Sequence, residues 1–353
     1  MAISVPLRSF STAVLVALVL LTLPLLASIS LHAQSATTAA SPAVPAPAAT
    51  QGDSKTEHTQ EDFASLGLAS SSLAAAPPIP GGHEENKDFV RDLVRVQWRM
   101  GDPIDLYIVR PANVKKSPVV LYILSFPNGS EKFLNADFCR KLTQNGVAAV
   151  GFSSALTANR YVRRPMKQWF VSELQESMAA TTHDVQMILD YLQTRDDLDL
   201  SRVGIFGQGS GGAIAILAAQ ADPRIKVLDL LEPWGDWPDF LAKTAVIAEE
   251  ERANYLKPDF LKNLEVVEPA RYLPQLRDRT IRIQFAADAP APHVADTLLK
   301  ATPASAESHH YASTGELRAA TGGKLFQWVG DHTKPESVAQ SPSSPSVEKG
   351  SSH

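Results

Sequence analysis

The sequence predicts an α/β protein: a mostly parallel sheet with helices on both faces, led by an antiparallel hairpin. Three observations carry this. Short apolar runs alternate with helix-periodic segments from about residue 118 to residue 300, the pattern of β-α units. Some runs, such as PVVLYIL (118–124), are apolar at successive positions, as in strands covered on both faces. A glycine cluster, GIFGQGSGGAIA (204–215), joins an apolar run directly to a helix-like one, so strand, sharp turn and helix follow without a loop.

Taken in order, 92–98 and 104–109 flank the turn Met100-Gly101-Asp102-Pro103 and predict a hairpin. Residues 118–124 are a strand. Residues 133–144 have helical spacing and stop at Asn145-Gly146. Strands follow at 147–152, 202–206, 225–231 and 281–286, and a last one at 324–329. Helices are expected at 174–193, 211–220 and 293–300. The long stretch 234–276 is mostly helical in spacing, and about 235–270 of it reads as a small helical cap insertion.

The ends differ from this middle. Arg8 precedes an apolar run, 13–26, broken only by Thr22 and Pro24, and small residues follow up to Ala33. This predicts a signal peptide, 1–33, and an exported mature chain, periplasmic or extracellular. An uncleaved anchor is the alternative, although the run is short for a bilayer span. No stable membrane span is expected after cleavage. Residues 34–85 are rich in Ala, Ser, Thr and Pro, as in SPAVPAPAAT, and predict a disordered linker; 333–353 predict a disordered tail. The folded domain is then 86–332.

The 353 residues are 44% hydrophobic and 20% charged, enough for a sizeable core. A net charge of −5 gives no reason to expect nucleic acid as a partner. The lone cysteine, Cys139, excludes an intramolecular disulfide and reads as a small core residue. His309 and His310 have no spaced set of further ligands, so neither a metal nor another cofactor is expected. His183 falls within a long amphipathic helix and reads as structural. Oligomeric state is not encoded in any feature of the sequence.

The order of these pieces resembles the alpha/beta-hydrolase superfamily, in particular its dienelactone hydrolase and bacterial acetyl-esterase branch. The carrying segments are RMGDPIDLYIVRP with PVVLYIL, HDVQMILDYLQTRDDLDLSRVGIFGQGSGG, and VVEPARYLPQLRDRTIRIQFAAD. The resemblance implies an alpha/beta-hydrolase fold and ester-hydrolase ancestry. It also implies a small-x-nucleophile-x-small turn, an acid after the next-to-last strand, a histidine after the last, and oxyanion donors after the third.

Two registers fit the turn. With Gly207 and Gly211 as the small residues, Gly209 stands at the nucleophile position and the serine is missing. With Ser210 as nucleophile, Gln208 occupies a position that needs a small residue. The first register is preferred, and Ser210 then reads as a helix N-cap. In an active enzyme the catalytic set is Ser210, Asp288 and His332, with Glu232 as a second candidate acid. Asp288 sits one residue early in FAADAPAP, and SFPNGS (125–130) replaces the expected His-Gly of the oxyanion segment, with Pro127 lacking an N–H. These departures point to an exported hydrolase fold that has lost ordinary serine catalysis and keeps a pocket for a small ester, acyl or sugar ligand. An active ester hydrolase and a non-enzymatic interaction scaffold are the alternatives. Trp169, Phe170, Trp234 and Trp237, with Arg160, Arg163 and Arg164, either line that pocket or pack a lid.

Overall fold

A computed structural model of the protein describes residues 61–157, 160, 166–289 and 291–334. The chain divides into residues 1–56, which lie outside this range, and residues 57–353, the unit treated below. The expected signal peptide and the tail beyond residue 334 therefore fall outside the described residues. Among the described residues, no helix is long and apolar enough to cross a membrane.

The unit is built on a nine-stranded sheet. Three antiparallel strands lead: β1 (Ile79–Glu85), β2 (Phe89–Val96) and β3 (Ile104–Pro111). Then follow β4 (Ser117–Ile123), α1 (Ala136–Thr143), β5 (Ala148–Gly151), α2 (Met166–Gln193), β6 (Leu198–Gln208), α3 (Ser210–Ala221) and β7 (Ile225–Leu231). Short helices α4 (Trp237–Lys243), α5 (Arg252–Tyr255), α6 (Pro258–Leu264) and α7 (Pro269–Tyr272) lead to β8 (Thr280–Ala286). The chain closes with α8 (Ala295–Ala301), β9 (Glu307–Tyr311), α9 (Thr314–Thr321) and α10 (Gln327–Thr333). Spatial order is β1-β2-β3-β5-β4-β6-β7-β8-β9, and β5 through β9 run parallel to β4.

The period-2 alternation of a strand splits the core in two. Val119, Leu121 and Ile123 of β4 join α2 and α3 on one face. Val120 and Tyr122 join Cys139 and Leu142 of α1, Leu317 of α9 and Val329 of α10 on the other. Each such side chain, fully buried, contributes about 1.5–3 kcal/mol of apolar transfer. Residues 210–219 of α3 are all buried, which explains why SGGAIAILAA carries no polar stripe. The two ends of the cap region are tied together by Glu268, whose carboxylate accepts from the backbone N–H groups of Asp236 (2.9 Å), Trp237 (2.9 Å) and Ala270 (3.1 Å).

Two sequence expectations need correction. Residues 61–85, expected within the linker, are ordered against the domain. Leu66 is buried, Glu61 pairs with Arg99 and His183, and β1 forms an edge strand on β2. Composition misses this because β1 is held by backbone hydrogen bonds while its side chains stay exposed. The apolar run at 324–329 is not a strand. It leads into α10, whose Val329 and Thr333 lie one helical turn apart on the buried face. The last strand is instead the polar, mostly exposed ESHHY of β9.

A buried ion network clamps the N-terminal segment. Asp184 on α2 is fully buried between Arg99 and Arg160, and also accepts from Trp98 Nε1 at 2.8 Å. Burial alone would raise the Asp184 carboxyl, but the Arg160 and Arg99 guanidiniums outweigh it and hold it below the usual range. Arg160 also bonds Asp102, so this arginine belongs to the framework rather than to a ligand pocket. His183 is structural as expected, bonding Glu61 (2.6 Å) and the Ser65 carbonyl (2.9 Å).

Candidate functional site

Open α/β sheets bind ligands beyond the C-terminal strand ends where strand order reverses. Here that point lies between β4 and β6, since the chain leaves β4 toward β5 and returns on the other side at β6. A cavity of about 350 Å³ opens there, lined by Ser125, Phe126, Gln208, Gly209, Glu232 and Trp234, among others.

Its floor is the turn from β6 into α3. Gly209 has φ 54° and ψ −118°, a region that costs a non-glycine residue about 1–3 kcal/mol. Close packing explains the flanking glycines. A Cβ on Gly207 would lie 2.4 Å from the Gly211 carbonyl oxygen, and one on Gly211 would lie 2.1 Å from that of Ile123. The residue of positive φ in the turn is Gly209, and Ser210 lies within the helix.

Ser210 is the first residue of α3, while Gly209 holds the N-cap position, so the N-cap reading of Ser210 is corrected. The Ser210 side chain is fully buried, and its Oγ accepts from the Phe126 N–H at 2.8 Å. That bond occupies one of the backbone donors of the segment where the resemblance implies an oxyanion site.

The space above Gly209 is not empty. Ile123 pairs with Gly207 across β4 and β6, and two residues on, just past both strand ends, Ser125 packs against Gly209. Ser125 Oγ lies 2.2 Å from where a Gly209 Cβ would be, and Trp234 Nε1 lies 3.2 Å from the same point. Trp234 is held by its N–H to the Gly209 carbonyl (3.0 Å) and by ring contacts with Phe240 and Phe126. Sequence reasoning placed Ser125 in the oxyanion segment but missed its contact with Gly209, which joins residues 84 apart in the chain.

The remaining candidates do not assemble around this floor. Asp288, on the loop after β8, is exposed, and its Oδ1 accepts from Thr314 N (2.5 Å) and Thr314 Oγ1 (2.7 Å). These bonds hold its carboxyl below the usual range. Thr314 thus stands after the last strand, where the resemblance implies a histidine. His332 lies elsewhere, exposed on α10 and stacked on Trp328 at 4.2 Å, with Nδ1 near the Trp328 carbonyl (2.8 Å). Its own carbonyl accepts from Arg202, and its neighbour Thr333 packs under Gly204, five residues from Gly209 or about 16 Å along the strand. The His332 assignment is corrected: the histidine sits toward the opposite end of β6.

Glu232 directly follows β7 at the cavity wall with φ 50°, a strained conformation for a glutamate. Burial pushes its carboxyl up, and the negative Asp288 adds to this. Of the aromatic candidates, Trp234 lines the cavity while Trp237 is core, donating Nε1 to the Val267 carbonyl at 2.9 Å. Arg163 and Arg164 lie outside the described residues, as do the side chains of Trp169 and Phe170. Cys139 is buried and bonds the Phe133 carbonyl, and burial raises its thiol further. His309 pairs with Glu307 on edge strand β9, and no group of three or more metal-ligating side chains occurs among the described residues.

The dienelactone hydrolase family model matches residues 104–228. No curated protein matches the sequence significantly. Among solved structures, the chain is similar to acetyl xylan esterase 1 from Thermoanaerobacterium sp. JW/SL YS485. Identity is 12%, coverage 74% of this chain and 89% of that one, and the TM-score 0.58. It is also similar to the acetyl xylan esterase from Paenibacillus sp. R4, with 15% identity, 73% and 89% coverage and a TM-score of 0.56. At such identities the likeness is one of fold. The chain has an alpha/beta-hydrolase fold, and its residues 104–228 match the dienelactone hydrolase family model.

Proposed function

We propose that this is an exported alpha/beta-hydrolase-fold protein that has lost ordinary Ser-His-Asp catalysis and binds a small ester, acyl or sugar-derived ligand above the β6–α3 turn. The observation that carries the reading is Gly209 at the strained point of that turn, with no side chain to attack a carbonyl. Ser210 cannot substitute without breaking its buried bond to Phe126, and Thr314 offers no imidazole to a serine. Retention of a cavity of about 350 Å³, with a strained Glu232 at its wall, favours a ligand-binding role over a bare interaction scaffold. Incubation of the mature protein with a fluorophosphonate probe tests it. No stoichiometric adduct is expected; full labelling of Ser210 would restore the active-hydrolase reading. Export is tested separately by fractionating cells of the source and locating the mature N-terminus, expected after Ala33.

A further inference from the structure

We infer that the hydroxyl of Ser125 and the indole N–H of Trp234 form a two-donor seat for the carbonyl oxygen of an intact ester on the cavity floor beside Gly209, with Ser125 itself filling the space a nucleophile side chain would take. The inference rests on the cavity being a ligand site and adds which group of the ligand is gripped.

Ser125 Oγ and Trp234 Nε1 lie 2.2 and 3.2 Å from one point, the missing Gly209 Cβ, so Ser125 takes up that point and the two donors stand close together on the cavity floor. Both residues line the cavity. Ser125 can give one proton and Trp234 only donates, so together they suit an acceptor such as a carbonyl oxygen. The N-terminal end of α3 points to the same place from Gly209, and its backbone dipoles favour partial negative charge. The Phe126 N–H is already committed to Ser210, so recognition passes from the main chain to these two side chains. Phe126 and Trp234, with ring centroids 6.5 Å apart, supply apolar surface for the rest of the ligand. Atoms are conserved trivially: no bond to the carbonyl carbon forms, and the ester leaves as it came.

Phenyl acetate and ethyl phenyl ether test this, since they differ by a carbonyl against a methylene. Binding to the full chain is measured by ligand-observed NMR titration. The ester is expected to bind about tenfold more tightly than the ether, the effect of one or two net hydrogen bonds. Ser125→Ala and Trp234→Phe are each expected to cut that preference about three- to tenfold while leaving ether affinity within twofold. Ser125→Ala alters only one small, half-buried side chain and keeps the test sound if Trp234→Phe unfolds. Equal binding of ester and ether overturns the carbonyl seat and leaves the cavity reading standing. Binding of neither overturns both. An acetyl group found on Ser125 by mass spectrometry also overturns the seat, because Ser125 would then be a nucleophile.

Discussion

Ser125 fills the space that a side chain on Gly209 would need. Its Oγ and Cβ lie 2.2 and 2.8 Å from the ideal Gly209 Cβ position, closer than real side-chain carbons approach such atoms. Restoring a serine at the turn therefore meets two obstacles, a backbone φ of 54° and an occupied site. Gly209→Ser is expected to destabilise the fold by about 1–3 kcal/mol in urea unfolding and to yield no fast esterase. Combining it with Ser125→Gly should recover part of that stability by clearing the space. A single Gly209→Ser variant with rapid turnover of p-nitrophenyl acetate would contradict this account.

Ser210 should matter for stability and not for chemistry. Ser210→Ala leaves the Phe126 N–H without its acceptor in a partly buried loop, at a cost of about 1–3 kcal/mol. Hydrogen exchange at the Phe126 amide should quicken in step. Unchanged stability would mean that this bond contributes nothing net.

Asp184 should make the N-terminal segment acid-sensitive. Its carboxyl is held below the usual range by Arg160 and Arg99, so its stabilising contribution is present above the unfolded value. The contribution is lost as pH falls from about 4 through the lower folded value. Asp184→Asn is expected to cost about 3–5 kcal/mol, because it leaves two buried guanidiniums short of charge. Hydrogen exchange should rise first in residues 61–70, which are tethered through Glu61 to Arg99. Uniform loosening of the whole domain instead would place the clamp elsewhere.

Glu232 should act in the opposite sense. Burial raises its carboxyl, so the folded state favours the neutral form. Stability from this residue is present below the unfolded value and declines as pH rises through the folded one. Glu232→Gln is expected to raise the melting temperature at pH 8 and to make little difference near pH 4. A variant less stable than the parent at pH 8 would show that the ionised carboxylate has a partner after all.

Much of the fold was legible because strands such as β4 carry apolar residues on both faces and helix-periodic runs follow them. β1 and β9 escaped because they are edge strands with exposed polar side chains, held by ladders that hydropathy does not register. The run at Phe326 and Val329 misled because short apolar stretches fit a strand or a buried helix equally, and with it went His332. At the site, the tight packing of Gly207 and Gly211 was readable from the glycine spacing of the turn. The roles of Ser125 and Thr314 were not, since each is set by a contact between distant segments.

The glycines of the turn lead to a last point. Gly207 and Gly211 are excluded from change by backbone atoms within 2.4 Å of any added carbon, and Gly212 by Pro233 at 2.8 Å. None of these constraints involves a reacting atom. A lineage that gave up the reaction would still be obliged to keep the spelling around it, because the crossing of β6 and α3 cannot tolerate anything larger. Such a turn keeps the outline of a nucleophile turn whichever residue stands at position 209, so its glycines report the crossing of strand and helix and not the chemistry above it.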